Sequence, residues 1–245
     1  MRRARYSTAW LRPSVVLSLA VGLLLPEAFL VERAAHGSAV PAIGGRLRAG
    51  AATASDQPTL LEQLRNGTPT ERREAARRLA EIGDAAAATG LAESLRDDEE
   101  EVRAAAHVAL WAIWGRSGND EIDRVLQQGT ALMQRGRYPQ AVAAFDEVIA
   151  RAPEFAEGWN KRATVYYLMG EYDRSIADCA EVIRRNPIHF GALSGFGLNY
   201  LRKGNLERAV GYFERALAVN PNLPSIELML RQTRELLRQR HRQTI

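Results

Sequence analysis

The chain has 245 residues, 46% of them hydrophobic and 25% charged, the balance of a soluble globular protein with room for one or two domains. Its formal net charge of +4 sits mostly at the start: residues 1–39 hold five arginines and two glutamates, which leaves 28 basic against 27 acidic side chains beyond them. So even a balance excludes the sustained basic field on which nucleic-acid binding draws, and the single cysteine, Cys179, excludes an internal disulfide.

The first segment has the three parts of an export signal. Arg2, Arg3, Arg5 and Arg12 precede an uncharged run from Pro13 to Pro26, and Gly37, Ser38 and Ala39 supply small residues for cleavage. The apolar heart, Val15 to Leu25, is 11 residues long, against about 20 for a helix that crosses a bilayer. Residues 1–39 are therefore expected to be a signal peptide, cut after Ala39 or Ala42, with an uncleaved membrane anchor as the alternative. The mature protein would be periplasmic or secreted, with no stable membrane span. Residues 40–58, rich in glycine, alanine, serine and proline, are expected to be a flexible linker, with order from about Thr59.

Residues 59–116 contain a repeat with a period of 31. Leu60, Leu64, Arg72, Ala75, Leu79 and Ile82 recur as Leu91, Leu95, Arg103, Ala106, Leu110 and Ile113. The leucines four apart mark one helix face, so each unit is expected to be a pair of helices. The acidic run from Asp97 to Glu101 lacks the alternating ligands and glycine of a calcium loop and suits a helix N-terminus. With Val102 and Arg103 opening an alanine-rich helix, the block resembles HEAT-like repeats.

A period of 34 follows. Pro153, Pro187 and Pro221 close successive segments, Gly136, Gly170 and Gly204 keep the same register, and Gly129, Ala163 and Gly197 form a second ladder. Such a unit buries its apolar face only by stacking on copies of itself, so an all-α solenoid of helical hairpins is expected. The segments are 122–155, 156–189 and 190–223, within a domain spanning 120–245. Residues 224–242 form a last helix with Ile226, Leu230 and Leu237 on one side and arginines elsewhere, as a solvated cap requires.

These segments resemble the tetratricopeptide repeat family. Residues 156–189 carry Trp159, Ala163, Tyr166, Gly170, Tyr172, Cys179, Val182 and Pro187 at the family's spacings, and Phe145 and Phe213 mark the corresponding second helices on either side. Arg162, Gln128 and Phe196 stand where leucine is usual, and Ser175 and Cys179 where alanine and phenylalanine are usual. The resemblance implies that Trp159 and Tyr166 pack between helices. It also implies that the first helix of each hairpin lines a concave face that receives a protein or peptide. Carried over by position, that face holds Leu126, Thr130 and Met133, then Asn160, Thr164, Tyr167 and Leu168, then Ser194, Leu198 and Leu201. Several of these, Met133, Leu168 and Leu201 above all, are also compatible with packing between repeats.

No chemistry stands out beside this surface. His36, His107, His189 and His241 are scattered away from metal-ligand spacings, and no phosphate loop, nucleophile elbow or zinc-protease helix occurs, so no catalytic, metal or cofactor residue is assigned. The places that would grip a carboxylate tail in chaperone-binding members of the family hold Leu126, Thr130, Lys161, Gly191 and Gly195, a single cation. The leading reading is a non-enzymatic interaction or scaffold protein of the cell envelope. The alternative is an enzyme or enzyme-accessory protein, lyase-like or glycan-processing.

Overall fold

The computed structural model describes residues 56–243, all of which belong to one compact unit. The expected signal peptide and most of the expected linker lie outside the described residues. Helices follow in chain order: α1 (Gln57–Asn66), α2 (Pro69–Ile82), α3 (Ala87–Ser94), α4 (Glu100–Trp114), α5 (Asp120–Gln134), α6 (Tyr138–Arg151), α7 (Ala156–Leu168), α8 (Tyr172–Arg185), α9 (Phe190–Arg202), α10 (Leu206–Val219) and α11 (Pro224–Gln243). The described residues contain no strand, and the architecture is an all-α solenoid of helical hairpins.

Local sequence sets the helix boundaries. Thr68 and Glu71 form a reciprocal capping box at the start of α2, and the side chains of Asn119, His189 and Asn205 accept backbone N–H groups at the starts of α5, α9 and α10. The first helix of each 34-residue hairpin ends at Gly136, Gly170 or Gly204, with φ of 71°, 79° and 73°, the left-handed geometry that glycine adopts without steric cost. The hairpins are α5–α6, α7–α8 and α9–α10, with α11 packed on α10.

In the 31-residue repeat, α1 packs with α2, α3 with α4, and α2 with α4. Leu60, Leu64, Ala75, Leu79, Leu91, Leu95, Ala106 and Leu110 form one buried core. Asp97, from the acidic run, makes a two-pronged ion pair with Arg72 at 2.8 and 2.9 Å, while Glu100 and Glu101 occupy the first turn of α4.

This block also folds onto the far end of the repeat array. Phe190 belongs to its buried core, and Ile188, Val219 and Leu223 pack against it. Arg96 donates to the carbonyls of Ala218 and Val219, and the Asn222 amide donates to Leu95 O at 2.6 Å. The loops ahead of α9 and after α10 are thus clasped by residues about 100 positions earlier.

Trp159 does not fill the space between its helices. It is half-buried, its indole N–H donating to Pro153 O at 2.9 Å, with the guanidinium groups of Arg162 and Arg185 at 5.0 and 4.7 Å from the ring. Arg185 donates to the same carbonyl at 2.6 Å, so the proline that closes one repeat is fastened by two side chains of the next.

Candidate partner-binding surface

The first helices of the hairpins, α5, α7 and α9, carry the ten residues assigned to the concave face. Leu126, Met133, Asn160 and Leu201 are buried, while Thr130, Thr164, Tyr167, Leu168, Ser194 and Leu198 keep part of their surface open. Leu126 and Met133 pack with Phe145 and Val148, and Leu168 packs against the same cluster. The three hydroxyls turn inward along their own helices: Thr130 donates to Leu126 O (2.9 Å), Thr164 to Asn160 O (3.0 Å) and Ser194 to Phe190 O (2.8 Å). The Tyr167 hydroxyl accepts from Arg202 Nε at 3.2 Å.

Beneath this face lies a buried polar network. The Glu157 carboxylate accepts from Lys161 at 3.2 Å, and from Asn160 and His189 at 3.1 Å each. Burial pushes the Glu157 carboxyl up, but Lys161 and His189 more than offset it and hold it below the usual range. His189 Nδ1 accepts from Ala192 N at 3.1 Å, which leaves Nε2–H to donate to Glu157. The network fixes the register of α7 against the start of α9.

Where the 31-residue block meets the repeats, His107, Trp111, Trp114, His189 and Phe190 form a cluster of rings, Trp114 stacked on His189 at 4.5 Å and His107 on Phe190 at 5.2 Å. Trp111 Nε1–H donates to His107 Nε2 at 3.2 Å, and the Asn220 amide lies 3.0 Å from the other ring nitrogen. Burial lowers the His107 pKa. The histidines looked scattered in sequence, and nothing in their spacing joined position 107 to 189 and 220.

A cleft of about 420 Å³ between α6, α7 and α8 is lined by Asp146, Arg162, Tyr166, Arg174, Ala177 and Asp178. Its charges are already matched. Arg162 makes a two-pronged pair with Asp178 at 2.8 Å and a bond to Asp146 at 2.5 Å, and Arg174 lies over the Tyr166 ring and donates to its hydroxyl. The Asp178 pair drives the Arg162 pKa up. Cys179, buried nearby, has its thiol pushed up to about 12 by burial, which keeps it an inert packing group. Among the described residues no three of His, Cys, Asp and Glu gather to hold a metal ion, and no helix is long and apolar enough to cross a membrane.

Residues 126–189 and 191–223 match tetratricopeptide repeat models, and residues 33–127 match a HEAT repeat model. A TPR repeat-containing protein of Rhizobium etli is 37% identical over 108 residues, which are 44% of this chain and 53% of that protein. A TPR repeat-containing thioredoxin of Arabidopsis thaliana is 28% identical over 102 residues, 42% of this chain and 14% of that protein. The chain thus spans about half the length of the first relative and a smaller share of the second. Among solved structures, the Sgt2 TPR domain from Aspergillus fumigatus is similar with a TM-score of 0.49 and 21% identity, over 51% of this chain and 83% of that one. The first TPR of Spaghetti (RPAP3), bound to an HSP90 peptide, is similar with a TM-score of 0.47 and 21% identity, over 48% and 94%.

Proposed function

For a chain whose residues 126–223 are tetratricopeptide repeats preceded by HEAT repeats, we propose a role as a non-enzymatic interaction or scaffold protein that binds a protein partner on the concave face of its repeats. What supports the reading is that Thr130, Thr164, Tyr167, Leu168, Ser194 and Leu198 are uncharged, keep part of their surface open and recur on the first helices of three successive hairpins. Surfaces of this kind anchor a partner through a few apolar side chains. Lys161, the single cation at the places that would hold a carboxylate tail, is buried against Glu157, so the face is not built for an acidic C-terminus.

The sequence of residues 1–39 supports placing this work in the cell envelope, after export. Two measurements test the reading. N-terminal sequencing of the protein from fractionated cells should return a start between Ala39 and Ile43; a start at Met1 or Arg2 in the cytosol overturns the location. Tyr167→Ala should leave stability within roughly 1 kcal/mol yet weaken partner capture about tenfold, whereas Tyr166→Ala, at a buried position, should lower stability substantially. Full capture by Tyr167→Ala and by Leu198→Asp overturns the concave face as the site.

A further inference from the structure

His107 sits where the first block meets the third hairpin, and both of its ring nitrogens face donors. Trp111 Nε1–H points at Nε2 from 3.2 Å. On the other side Asn220 has its Oδ1 taken by the backbone N–H of Asn222 at 2.9 Å and by the Asn222 amide at 3.2 Å, so Nδ2 is the atom it turns to His107 Nδ1, 3.0 Å away. An indole N–H only donates, and so does an amide nitrogen. The neutral imidazole accepts at one nitrogen. The imidazolium, with N–H at both, accepts at neither.

The surroundings give a proton no compensation. Phe190 stacks on the ring at 5.2 Å, and Phe190 and Asn220 are both buried. The charged and titratable groups of the packed elements are engaged elsewhere: Arg103 donates to the carbonyls of Asp97 and Asp98, Arg96 to those of Ala218 and Val219, and His189, across Trp111, to Glu157, which also holds Lys161. Among the described residues no carboxylate offsets the burial that lowers the His107 pKa from 6.5.

Both partners of His107 lie on the path that joins the two ends of the array. The Trp111 ring is seated against Gly191 in the first turn of α9, and Asn220 shares its turn with Asn222, whose amide donates to Leu95 O. We propose that His107 is an acid-sensitive latch: protonation of its ring turns both contacts into opposed donors, and the first block lets go of the loops flanking α9 and α10 while the hairpins stay folded. The open ring takes its proton at the ordinary value and the closed ring resists, so the latch holds above 6.5 and opens as pH falls below it. This device is independent of what the concave face binds.

Hydrogen exchange of the full chain, read by mass spectrometry at about pH 7.5 and about pH 5.5 and corrected for the intrinsic rate at each, tests it. Protection should fall about tenfold in segments 104–114 and 219–223 at the lower pH, while α8 in the middle repeat keeps its own. His107→Gln, which offers Trp111 an acceptor and does not titrate, should remove the fall. An unchanged segment 104–114, an equal loss in α8, or a fall that persists in His107→Gln overturns the latch. Asn220→Asp is a second check that leaves the histidine in place: it keeps an oxygen for the Asn222 N–H and gives a protonated Nδ1–H an acceptor, so the fall should shrink. An undiminished fall in that variant also overturns the latch.

Discussion

Gly129 lies against the ring of Phe145, sixteen residues on, so closely that a Cβ at Gly129 would stand 2.6 Å from Cε1. One repeat later the same two places hold Ala163 and Cys179, packed in one cluster, and one further on Gly197 faces Phe213. The larger residue on the first helix thus accompanies the smaller on the second, and the volume between the helices of a hairpin is kept.

Cys179→Phe alone should therefore overfill the second hairpin and cost roughly 1–3 kcal/mol, while Cys179→Phe with Ala163→Gly should recover most of it. Gly129→Ala should cost a similar amount on its own. Chemical denaturation of the four proteins checks this; additive costs in the double variant would show that the two places do not share one volume.

The neighbouring pair of places follows the same rule with different chemistry. Arg162 pairs with Asp178, and sixteen apart again in the third repeat Phe196 stacks on Tyr212 at 4.3 Å. Arg162→Leu leaves the Asp178 carboxylate buried without its partner and should cost roughly 2–4 kcal/mol, below the full cost of breaking a buried pair because Arg162 keeps some contact with solvent. Arg162→Phe with Asp178→Tyr, which copies the third repeat, should restore much of that stability by thermal unfolding.

These pairs show how much was legible. The 34-residue ladder of Gly136, Gly170 and Gly204 announced the hairpins, because a turn needing positive φ leaves a mark in one residue. Arg162, Ser175 and Cys179 read as departures because each is explained only by a partner elsewhere: Asp178 for Arg162, Ala163 for Cys179, and for Ser175 the buried Asn199, whose amide donates to its hydroxyl at 2.8 Å. On the candidate face, position told which helix a residue sits on, but not that His189 would reach back to Glu157 beneath it or that α4 would come alongside Gly191. Those depend on contacts across 30 to 110 residues, which periodicity does not encode.

Trp159 gives a test of partial against full burial. Trp159→Ala should cost about 1–2 kcal/mol, since the ring is half open and held by two arginines, whereas Phe145→Ala, fully buried, should cost about 3–5 kcal/mol. Equal losses in urea unfolding would contradict the geometry around Pro153.

His107 predicts a pH dependence. Burial holds its imidazole below the ordinary 6.5, so on acidification the unfolded chain binds a proton that the folded chain resists. Stability contributed by the neutral ring is present above about 6.5 and is lost as pH falls from there toward the folded value. Thermal midpoints should drop between pH 7.5 and about pH 5.5, and His107→Gln should flatten that slope; an unchanged slope would move the effect elsewhere.

A stack of repeats touching only their neighbours unravels from its ends, one unit at a time. Here Arg96, Trp114 and Asn222 fasten residues of the first block to the loops on either side of α9 and α10, so the third hairpin cannot fray without also stripping the core around Leu95 and Leu110. The clasp turns a linear array into a closed circuit of contacts, in which hydrogen exchange should report the first block and the last repeat opening together, with the middle repeat protected for as long as the two ends hold.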